Sequence, residues 1–325
     1  MTVEFPGLFD IQVNGFGGID FNGRDLTPDR VGEALDRMRA TGVTRSLPTL
    51  ITSSFEDFAA SASAISRIDS AALAGIHMEG PYLSPEEGAR GAHPPEHLAL
   101  PNVDDFRRRQ EAARGLIRLV TLAPELPGAL DLIELLVDEG IRVAVGHTLA
   151  TAAQIGEAIS AGATLATHLG NGCPQMLPRH PNHMWELLAA DAIHASFIVD
   201  GHHLPPSTVK AMIRAKGPER AILVTDAGAA AGCAPGRYRI GGVDCELGED
   251  GRVSFPGTPY LAGSALRLDE AVANTVRYTG LPFDDVMSMA SSNPAAYLGL
   301  PTAGRVTADW DAEAGRLHIR SVSAS

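Results

Sequence analysis

Short apolar runs alternate with amphipathic stretches along most of this chain. Each apolar run ends in a turn rich in Gly, Asp, Ser or Thr, which is typical of strands buried on both faces of a parallel sheet. The predicted strands are 7–13, 43–48, 72–78, 116–122, 141–146, 163–167, 195–199 and 221–225. The pattern therefore predicts an α/β fold with a central parallel sheet.

The stretches between these strands show helical periodicity and helix boundary signals. Pro28 follows Thr27 at the start of one stretch, and Gly42 ends it. The predicted helices are 28–41, 129–139, 151–161, 206–216, 266–279 and 282–298. Eight strands alternating with helices is the number that closes a (β/α)8 TIM-type barrel, which is the fold we predict.

Two stretches interrupt the strand–helix rhythm. Residues 234–258 have the pattern of a β-hairpin that leaves the barrel after its last strand. Residues 304–322 have the pattern of two short strands around a turn. Neither stretch is large enough to form a core of its own.

Composition and charge exclude several classes of function. The chain has 325 residues, and its 39 acidic and 26 basic side chains give a net charge of −13, which repels a nucleic acid backbone. We find no apolar run long enough for a membrane span, and the first residues lack the features of a signal peptide. Cys173, Cys233 and Cys245 follow no metal or disulfide spacing, which favours the cytoplasm.

Polar side chains occur where the predicted strands end. In a TIM barrel the carboxyl ends of the strands form the active-site face, so these side chains should meet at one mouth. They are Gln12 and Asn14 on the first strand, then Glu79, His147, His168, Asp200 with His202 and His203, and Asp226.

Glu79, His147 and His168 form the set that favours metal chemistry most strongly. One carboxylate and two imidazoles are a common set of ligands for a catalytic divalent ion with open coordination positions. Each residue alone is better explained by capping or core packing, but together at three strand ends they predict a metal site. Asp226 is either an N-cap or a general base acting on water activated by that metal.

Three further polar positions have open interpretations. His203, or its neighbour His202, could donate a hydrogen bond to a substrate carbonyl oxygen. His93 lies on a Gly- and Pro-rich loop and is either a substrate contact or a solvated loop residue. Arg179 could bind an anion, although a lone arginine on a surface is more often simply solvated.

Ordered motifs from about Pro6 to Leu300 give the chain a family resemblance. Among them are PGLFDIQVNGFGGIDF, GIHMEGPYLSPEEGARGAH, VGHTLAT, AGATLATHLGNG, IVDGHH, LVTDAGAAAG and MASSNPAAYLG. The sequence resembles the N-acetylglucosamine-6-phosphate deacetylase branch of the amidohydrolase superfamily. That resemblance implies a metal-dependent hydrolase that converts N-acetylglucosamine 6-phosphate to glucosamine 6-phosphate and acetate in amino-sugar catabolism.

The resemblance also implies roles for individual residues. By position, it implies that the metal ligands are Glu79, His147 and His168 and that the catalytic acid/base is Asp226. It implies that His203 contacts the acetyl carbonyl of the substrate. The other implied substrate contacts are His93, Asn171 and the backbone of Gly172. Much of the superfamily has two metal-binding histidines on strand 1, where this chain has Gln12 and Asn14. We therefore expect one divalent ion, Zn²⁺ or alternatively Fe²⁺.

The chain departs from the pattern of this branch in three places. Few residues precede PGLFD, so we expect a barrel over 1–303 and only a remnant of the usual β-sandwich at 304–325. The sequence after His168 is Leu-Gly-Asn-Gly-Cys-Pro, which differs from the usual loop. Arg179 has the position of the phosphate-binding arginine that acts across a homodimer, but in an altered context.

These departures leave two alternatives to the deacetylase hypothesis. The first is the same chemistry on a non-phosphorylated N-acyl sugar or a cyclic amide. The second is a barrel without catalytic activity that binds a metal or a sugar. A small amino-sugar substrate and a homodimeric assembly remain the expected partners.

Overall fold

The computed structural model describes residues 1–258 and 260–323. Its strands are β1 (Thr2–Pro6), β2 (Leu8–Val13), β3 (Gly15–Phe16), β4 (Ile19–Asp20), β5 (Val43–Ile51), β6 (Ile76–Glu79), β7 (Ile117–Leu122), β8 (Arg142–Val145), β9 (Leu165–Ala166), β10 (His194–Ile198), β11 (Ala221–Val224), β12 (Gly236–Ile240), β13 (Val243–Leu247), β14 (Val253–Ser254), β15 (Arg305–Asp311) and β16 (Arg316–Ser323).

The helices lie mainly between the strands of the barrel. They are α1 (Pro28–Arg39), α2 (Phe55–Ser66), α3 (Val103–Ala112), α4 (Ala129–Asp138), α5 (Ala152–Ser160), α6 (His183–Ala189), α7 (Pro206–Lys216), α8 (Leu268–Thr279), α9 (Phe283–Ala290) and α10 (Ser292–Tyr297). Within the described residues, no helix is long and apolar enough to cross a membrane.

Eight parallel strands form the central sheet, which is a nearly closed TIM-type barrel. The strand order is β2, β5, β6, β7, β8, β9, β10 and β11, and each neighbouring pair in this order is hydrogen-bonded in parallel. The strands are buried on both faces, as their continuous apolar runs predict; all six residues of β2 are buried. The predicted fold class is confirmed.

Several predicted boundaries differ from the structure. The third barrel strand begins at Ile76 rather than at residue 72, because a turn from Ser70 to Leu73 and the positive φ of Gly75 precede it. The predicted helix 282–298 is two helices, α9 and α10. They separate at Ser291, whose backbone leaves the helical region and whose hydroxyl donates to the carbonyl of Gly7.

The pattern did not predict three helices, α2, α3 and α6. Each begins at a side-chain cap, from Ser54, Asn102 and Asn182 respectively, so the signal for its start is present in the sequence. Helix α6 is only seven residues long, too short for a periodic apolar face to be recognised.

Both predicted excursions are larger than expected. The stretch predicted as a hairpin at 234–258 is a three-stranded sheet, because β14 pairs with β13 in addition to the β12–β13 pair. The two predicted C-terminal strands, β15 and β16, are joined by a third, because β1 pairs antiparallel with β15. Residues 324 and 325 of the predicted C-terminal segment lie outside the described residues.

Candidate metal cluster and active site

Glu79, His147 and His168 converge at the mouth of the barrel. Glu79 is the last residue of β6, whereas His147 and His168 follow β8 and β9 by two residues. The two Nε2 atoms are 3.1 Å apart, and Oε1 of Glu79 lies 3.3 Å from Nε2 of His147 and 3.0 Å from Nε2 of His168. All three side chains are buried.

This triangle of atoms fits the ligands of a single divalent ion. Metal–ligand bonds of about 2.0–2.2 Å in a tetrahedral site place neighbouring ligand atoms roughly 3.3–3.6 Å apart, slightly more than the 3.0–3.3 Å between these atoms. Nδ1 of His147 lies 2.8 Å from the carbonyl oxygen of Ala89, and a proton on Nδ1 would leave the lone pair of Nε2 directed into the cluster. The donor set and its spacing therefore suit a cation with open coordination positions.

The electrostatics of Glu79 favour a negative charge inside the cluster. Burial by itself raises the pKa of this carboxyl, but the hydrogen bonds and charges of His147 and His168 outweigh it and lower the pKa well below its ordinary range. An ionised carboxylate beside two imidazole nitrogens is the state in which this set can bind a metal.

The backbone is strained at three of the site residues. Within the described part of the chain, four non-glycine residues have positive φ, and three of them are His147, His168 and Asp226. Such conformations persist only where the surroundings enforce them, and they cluster at functional sites. All three strained residues line the cavity at the mouth of the barrel.

Asp226 faces the same cavity from the end of the last barrel strand. Its Oδ1 accepts a hydrogen bond of 2.7 Å from Nδ2 of Asn14. Burial and the negative charge of Glu79 raise the pKa of Asp226 to about 6. A carboxylate with this pKa can take up and return a proton near neutral pH.

Of the two adjacent histidines, His203 and not His202 lines the cavity. Nδ1 of His203 lies 2.6 Å from Oδ2 of Asp200, and Oδ1 of Asp200 accepts the backbone N–H groups of both histidines. Burial raises the pKa of Asp200, but the hydrogen bond and charge of His203 outweigh that effect and lower it. Nε2 of His202 instead lies 3.2 Å from the carbonyl oxygen of Asp250.

Three more sequence-predicted residues line the cavity: His93, Asn171 and Gly172. His93 is buried, its Nδ1 lies 2.9 Å from Oγ1 of Thr52, and its ring packs edge-on against His147 with centroids 4.4 Å apart. Burial and the neighbouring His147 lower the pKa of His93 to about 3, so its ring is neutral. Nδ2 of Asn171 donates to the carbonyl of His168.

Two amides at the end of β2, Gln12 and Asn14, act as hydrogen-bond donors to the acidic residues. Nε2 of Gln12 donates to Oε1 of Glu79 at 3.0 Å, and Asn14 donates to Asp226. These amides thus orient the two carboxylates at positions where a second metal would need imidazole or carboxylate ligands.

The cavity has a volume of about 290 Å³, and titratable and apolar side chains both line it. Its apolar lining, here called the apolar roof, consists of Ile51, Ile198, Ile240, Val243, Cys245, Phe255 and Leu261. No described residue that lines the cavity is a lysine or an arginine, and Arg179 is exposed and outside it.

Comparison with known proteins decides the family. The profile of the amidohydrolase family matches residues 3–314. The chain belongs to the amidohydrolase family. This membership confirms the prediction of a metal-dependent hydrolase acting on amide bonds, and it does not favour a barrel without catalytic activity.

The similarity to individual amidohydrolases extends over nearly the whole chain. The N-acetylglucosamine-6-phosphate deacetylase of Bacillus subtilis is 34% identical over 96% of this chain and 80% of its own length. An N-acetylgalactosamine-6-phosphate deacetylase of Escherichia coli O157:H7 is 33% identical over 91% of this chain and 78% of its own. The crystal structure of N-acetyl-D-glucosamine-6-phosphate deacetylase from Mycobacterium smegmatis is 35% identical, with a TM-score of 0.90 over 99% of this chain and 86% of that one.

The sequence patterns predict no role for several residues of this site. Asp200 is predicted only to end a strand, although its spacing of three residues from His203 is a detectable signal of their contact. Thr52, which contacts His93, and the apolar roof could not be found, because they come from segments far apart in the chain.

Proposed function

We propose that this amidohydrolase hydrolyses the N-acetyl group of N-acetylglucosamine 6-phosphate, giving glucosamine 6-phosphate and acetate in amino-sugar catabolism. The observation that carries the proposal is the complete set of groups in one cavity: Glu79, His147 and His168 converge, and Asp226 and His203 line the same cavity. Relatives with 34–35% identity over most of the chain carry this enzyme name.

In this proposal Glu79, His147 and His168 hold one divalent ion, Zn²⁺ or alternatively Fe²⁺. Two imidazoles and one carboxylate suit either metal, and the donor amides of Gln12 and Asn14 argue against a second ion. When bound, the ion would lower the pKa of a water and polarise the amide carbonyl.

The chain's own residues carry the protons. Asp226 accepts a proton from the attacking water at its carboxylate and later donates it to the departing nitrogen, so that the amide bond and one water become acetate and an amine. His203, held at Nδ1 by Asp200, donates a hydrogen bond from Nε2 to the carbonyl oxygen, on which negative charge develops. The remaining cavity residues His93, Asn171 and the backbone of Gly172 bind the substrate.

The proposed assembly is a homodimer in the cytoplasm. A phosphate needs a cationic partner, and none of the described residues that line the cavity supplies one. In this proposal Arg179, which is exposed on its own subunit, reaches the cavity of a second copy. The three free cysteines support a reducing compartment.

For the domain organisation, we propose a barrel over 1–303 and a second, small β-unit at 304–325. Strands β15 and β16 support this division, and β1 pairs with β15, so residues 2–6 of the first segment belong to the sheet of the second unit.

A second candidate keeps the chemistry and changes the substrate. The apolar roof and the lack of a lysine or arginine among the described cavity residues favour a non-phosphorylated N-acyl sugar or a cyclic amide. The deacetylase proposal ranks above it because relatives named for 6-phosphate substrates match over most of the chain.

The deciding experiment measures acetate release by metal-replete protein. The panel is N-acetylglucosamine and N-acetylgalactosamine, each with and without a 6-phosphate. We expect the highest kcat/KM for N-acetylglucosamine 6-phosphate. A preference for either unphosphorylated sugar would overturn the proposal in favour of the second candidate, and no hydrolysis of any of the four would reject both sugar substrates.

Metal content tests the ligand set independently of activity. We expect about one ion per chain in the wild type and at least a hundredfold weaker affinity in His147→Ala, because even losing a partner of a ligand costs 10–100-fold. His194→Ala is the matched control, since His194 packs against Tyr297 outside the site. Equal affinity in His147→Ala and wild type would refute the ligand assignment.

A further inference from the structure

The barrel closes between its first and last strands without a regular ladder. Strands β2 and β11 are the two ends of the eight-stranded sheet. Among the described residues, the backbone pairing between these ends is an isolated bridge from Val13 to Ala227 and single hydrogen bonds around it. Side chains therefore carry part of the closure.

Asp10 is the side chain at the centre of this seam. It is fully buried on β2, and its carboxylate contacts Thr225, which lies 215 residues further along the chain. Oδ2 accepts the hydroxyl of Thr225 at 2.5 Å. Oδ1 accepts the backbone N–H groups of Gln12 at 3.2 Å and of Thr225 at 3.4 Å.

Asp10 has no ion-pair partner among the described residues. A buried carboxylate without a cation is costly, and here burial raises its pKa to about 7. An apolar residue would fill the same space without that cost. The carboxylate is therefore better explained by its hydrogen bonds than by packing.

These hydrogen bonds hold the turn that carries Asp226. Oγ1 of Thr225 donates to Asp10 and accepts the N–H of Ala227, so the residues on both sides of Asp226 are tied to one hydroxyl. The N–H of Asp226 itself donates to the carbonyl of Gln12 at 2.8 Å. This network encloses a residue with a φ of 48°, which a non-glycine residue adopts only when its surroundings enforce it.

We propose that Asp10 and Thr225 are positioning residues for Asp226. They clamp the strained turn at the barrel seam and so fix the carboxylate of Asp226 relative to Glu79, His147 and His168. The inference rests on the proposed function, in which Asp226 moves the proton. Neither Asp10 nor Thr225 lines the cavity, so they act through Asp226 and not on the substrate.

The test replaces Thr225 with valine, which removes the side-chain hydroxyl and keeps the shape of the side chain. Thr225→Val should lower kcat by about 10–100-fold, since a displacement of 1 Å at a reacting group can cost a hundredfold, while KM and metal content stay within about twofold of wild type. Thr225→Ser should recover most of the lost kcat, and Asp10→Asn should lower kcat in the same way as Thr225→Val.

Thr275→Val is the matched control. Thr275 is equally buried and donates its hydroxyl within α8 to the carbonyl of Ala271, away from the cavity. We expect wild-type kcat in this variant. A Thr225→Val enzyme as fast as wild type, or slowed only as much as Thr275→Val, would overturn the proposal, as would a serine variant no better than valine.

Crystal structures separate this inference from the proposed function. Wild-type protein that releases no acetate from any sugar of the panel would refute the function without deciding the positioning role. In that case the carboxylate of Asp226 should lie about 1 Å or more from its wild-type place in Thr225→Val and be unmoved in Thr275→Val. An unmoved carboxylate in both variants would refute the positioning role.

Discussion

Asp226 combines two properties that a residue moving a proton in both directions needs. It lines the same cavity as Glu79, His147 and His168, and burial and the charge of Glu79 raise its pKa to about 6. The carboxylate is therefore ionised at neutral pH but basic enough to accept a proton from water. A solvated aspartate, with a pKa of about 3.9, would be a weaker base and would accept the proton from water less readily.

Replacing Asp226 with asparagine should remove this proton transfer. We expect kcat to fall by about 10²–10⁴-fold, the usual contribution of general acid–base catalysis, with metal content unchanged. Acetate release and elemental analysis on the same sample measure both quantities. Near-native turnover with full metal content would show that Asp226 is not the acid/base.

At the scale of elements, the sequence patterns predict the eight barrel strands. Because the active site of a TIM barrel lies at the carboxyl ends of its strands, they also predict which side chains meet there. Glu79, His147, His168 and Asp226 could be found because each directly ends or follows an apolar run. The partners that orient them could not. Asp10 and Thr225, for example, meet across 215 residues, and no local periodicity encodes such a contact.

The N-terminal strand shows the same limit of local patterns. Residues 2–6 are strand β1 only because β15, some 300 residues later, offers an edge to pair with. The break between α9 and α10 likewise depends on a distant acceptor, the carbonyl of Gly7. Hydrogen bonds between residues far apart in the chain, and not local secondary-structure propensity, decide where β1 forms and where α9 ends.

The loop after β9 packs closely against one of the potential ligands. Gly172 has a φ of 58°, and a Cβ there would lie 2.7 Å from Nδ1 of His147. We expect Gly172→Ala to displace the His147 ring and weaken metal affinity at least tenfold, as loss of a ligand's support does. Chelator competition would measure this.

Gly156→Ala in α5 is the matched control, because nothing lies within 4 Å of the added Cβ. It should bind metal like wild type, with a stability equal or slightly higher. If both alanine variants retain wild-type affinity, the loop after β9 does not support His147.

The seam between β2 and β11 should also affect how stability depends on pH. The pKa of Asp10 rises from an ordinary value of 3.8 to about 7 on folding, mainly through burial. The folded state thus binds this proton more tightly than the unfolded state, so the contribution of Asp10 to stability decreases as pH rises from about 4 to about 7.

Asp10→Asn lacks this titration. Its free energy of unfolding, relative to that of wild type, should therefore increase as the pH rises from 5 to 8. The altered hydrogen bonds change the stability of the variant at both pH values and do not affect this trend. Urea denaturation of both proteins at the two pH values measures the difference. A constant difference between wild type and variant would contradict a raised pKa at Asp10.

At the scale of the whole molecule, the negative net charge of the protein is unfavourable for binding the proposed phosphorylated substrate. The chain carries a net charge of −13, and no described residue of the cavity is a lysine or an arginine. A sugar phosphate would thus enter an acidic protein without local compensation. The homodimer proposed here resolves the conflict by bringing Arg179 from a second subunit.

Arg179→Ala tests this arrangement directly. A lost hydrogen bond to a charged group is worth about 1.5–3 kcal/mol, so KM for N-acetylglucosamine 6-phosphate should rise by at least about tenfold. KM for unphosphorylated N-acetylglucosamine should not change, which serves as the internal control. An unchanged KM for the phosphorylated sugar would remove Arg179 from the phosphate site.

Laboratory evolution for heat resistance alone would act against the chemistry of this barrel. Burial and the charge of Glu79 raise the pKa of Asp226 to about 6, so its ionised carboxylate lowers the stability of the folded state at neutral pH. A library selected only for survival of heating should accumulate neutral side chains at position 226. The substitutions that make the molecule hardier would then mark its reactive centre, without any substrate being tried.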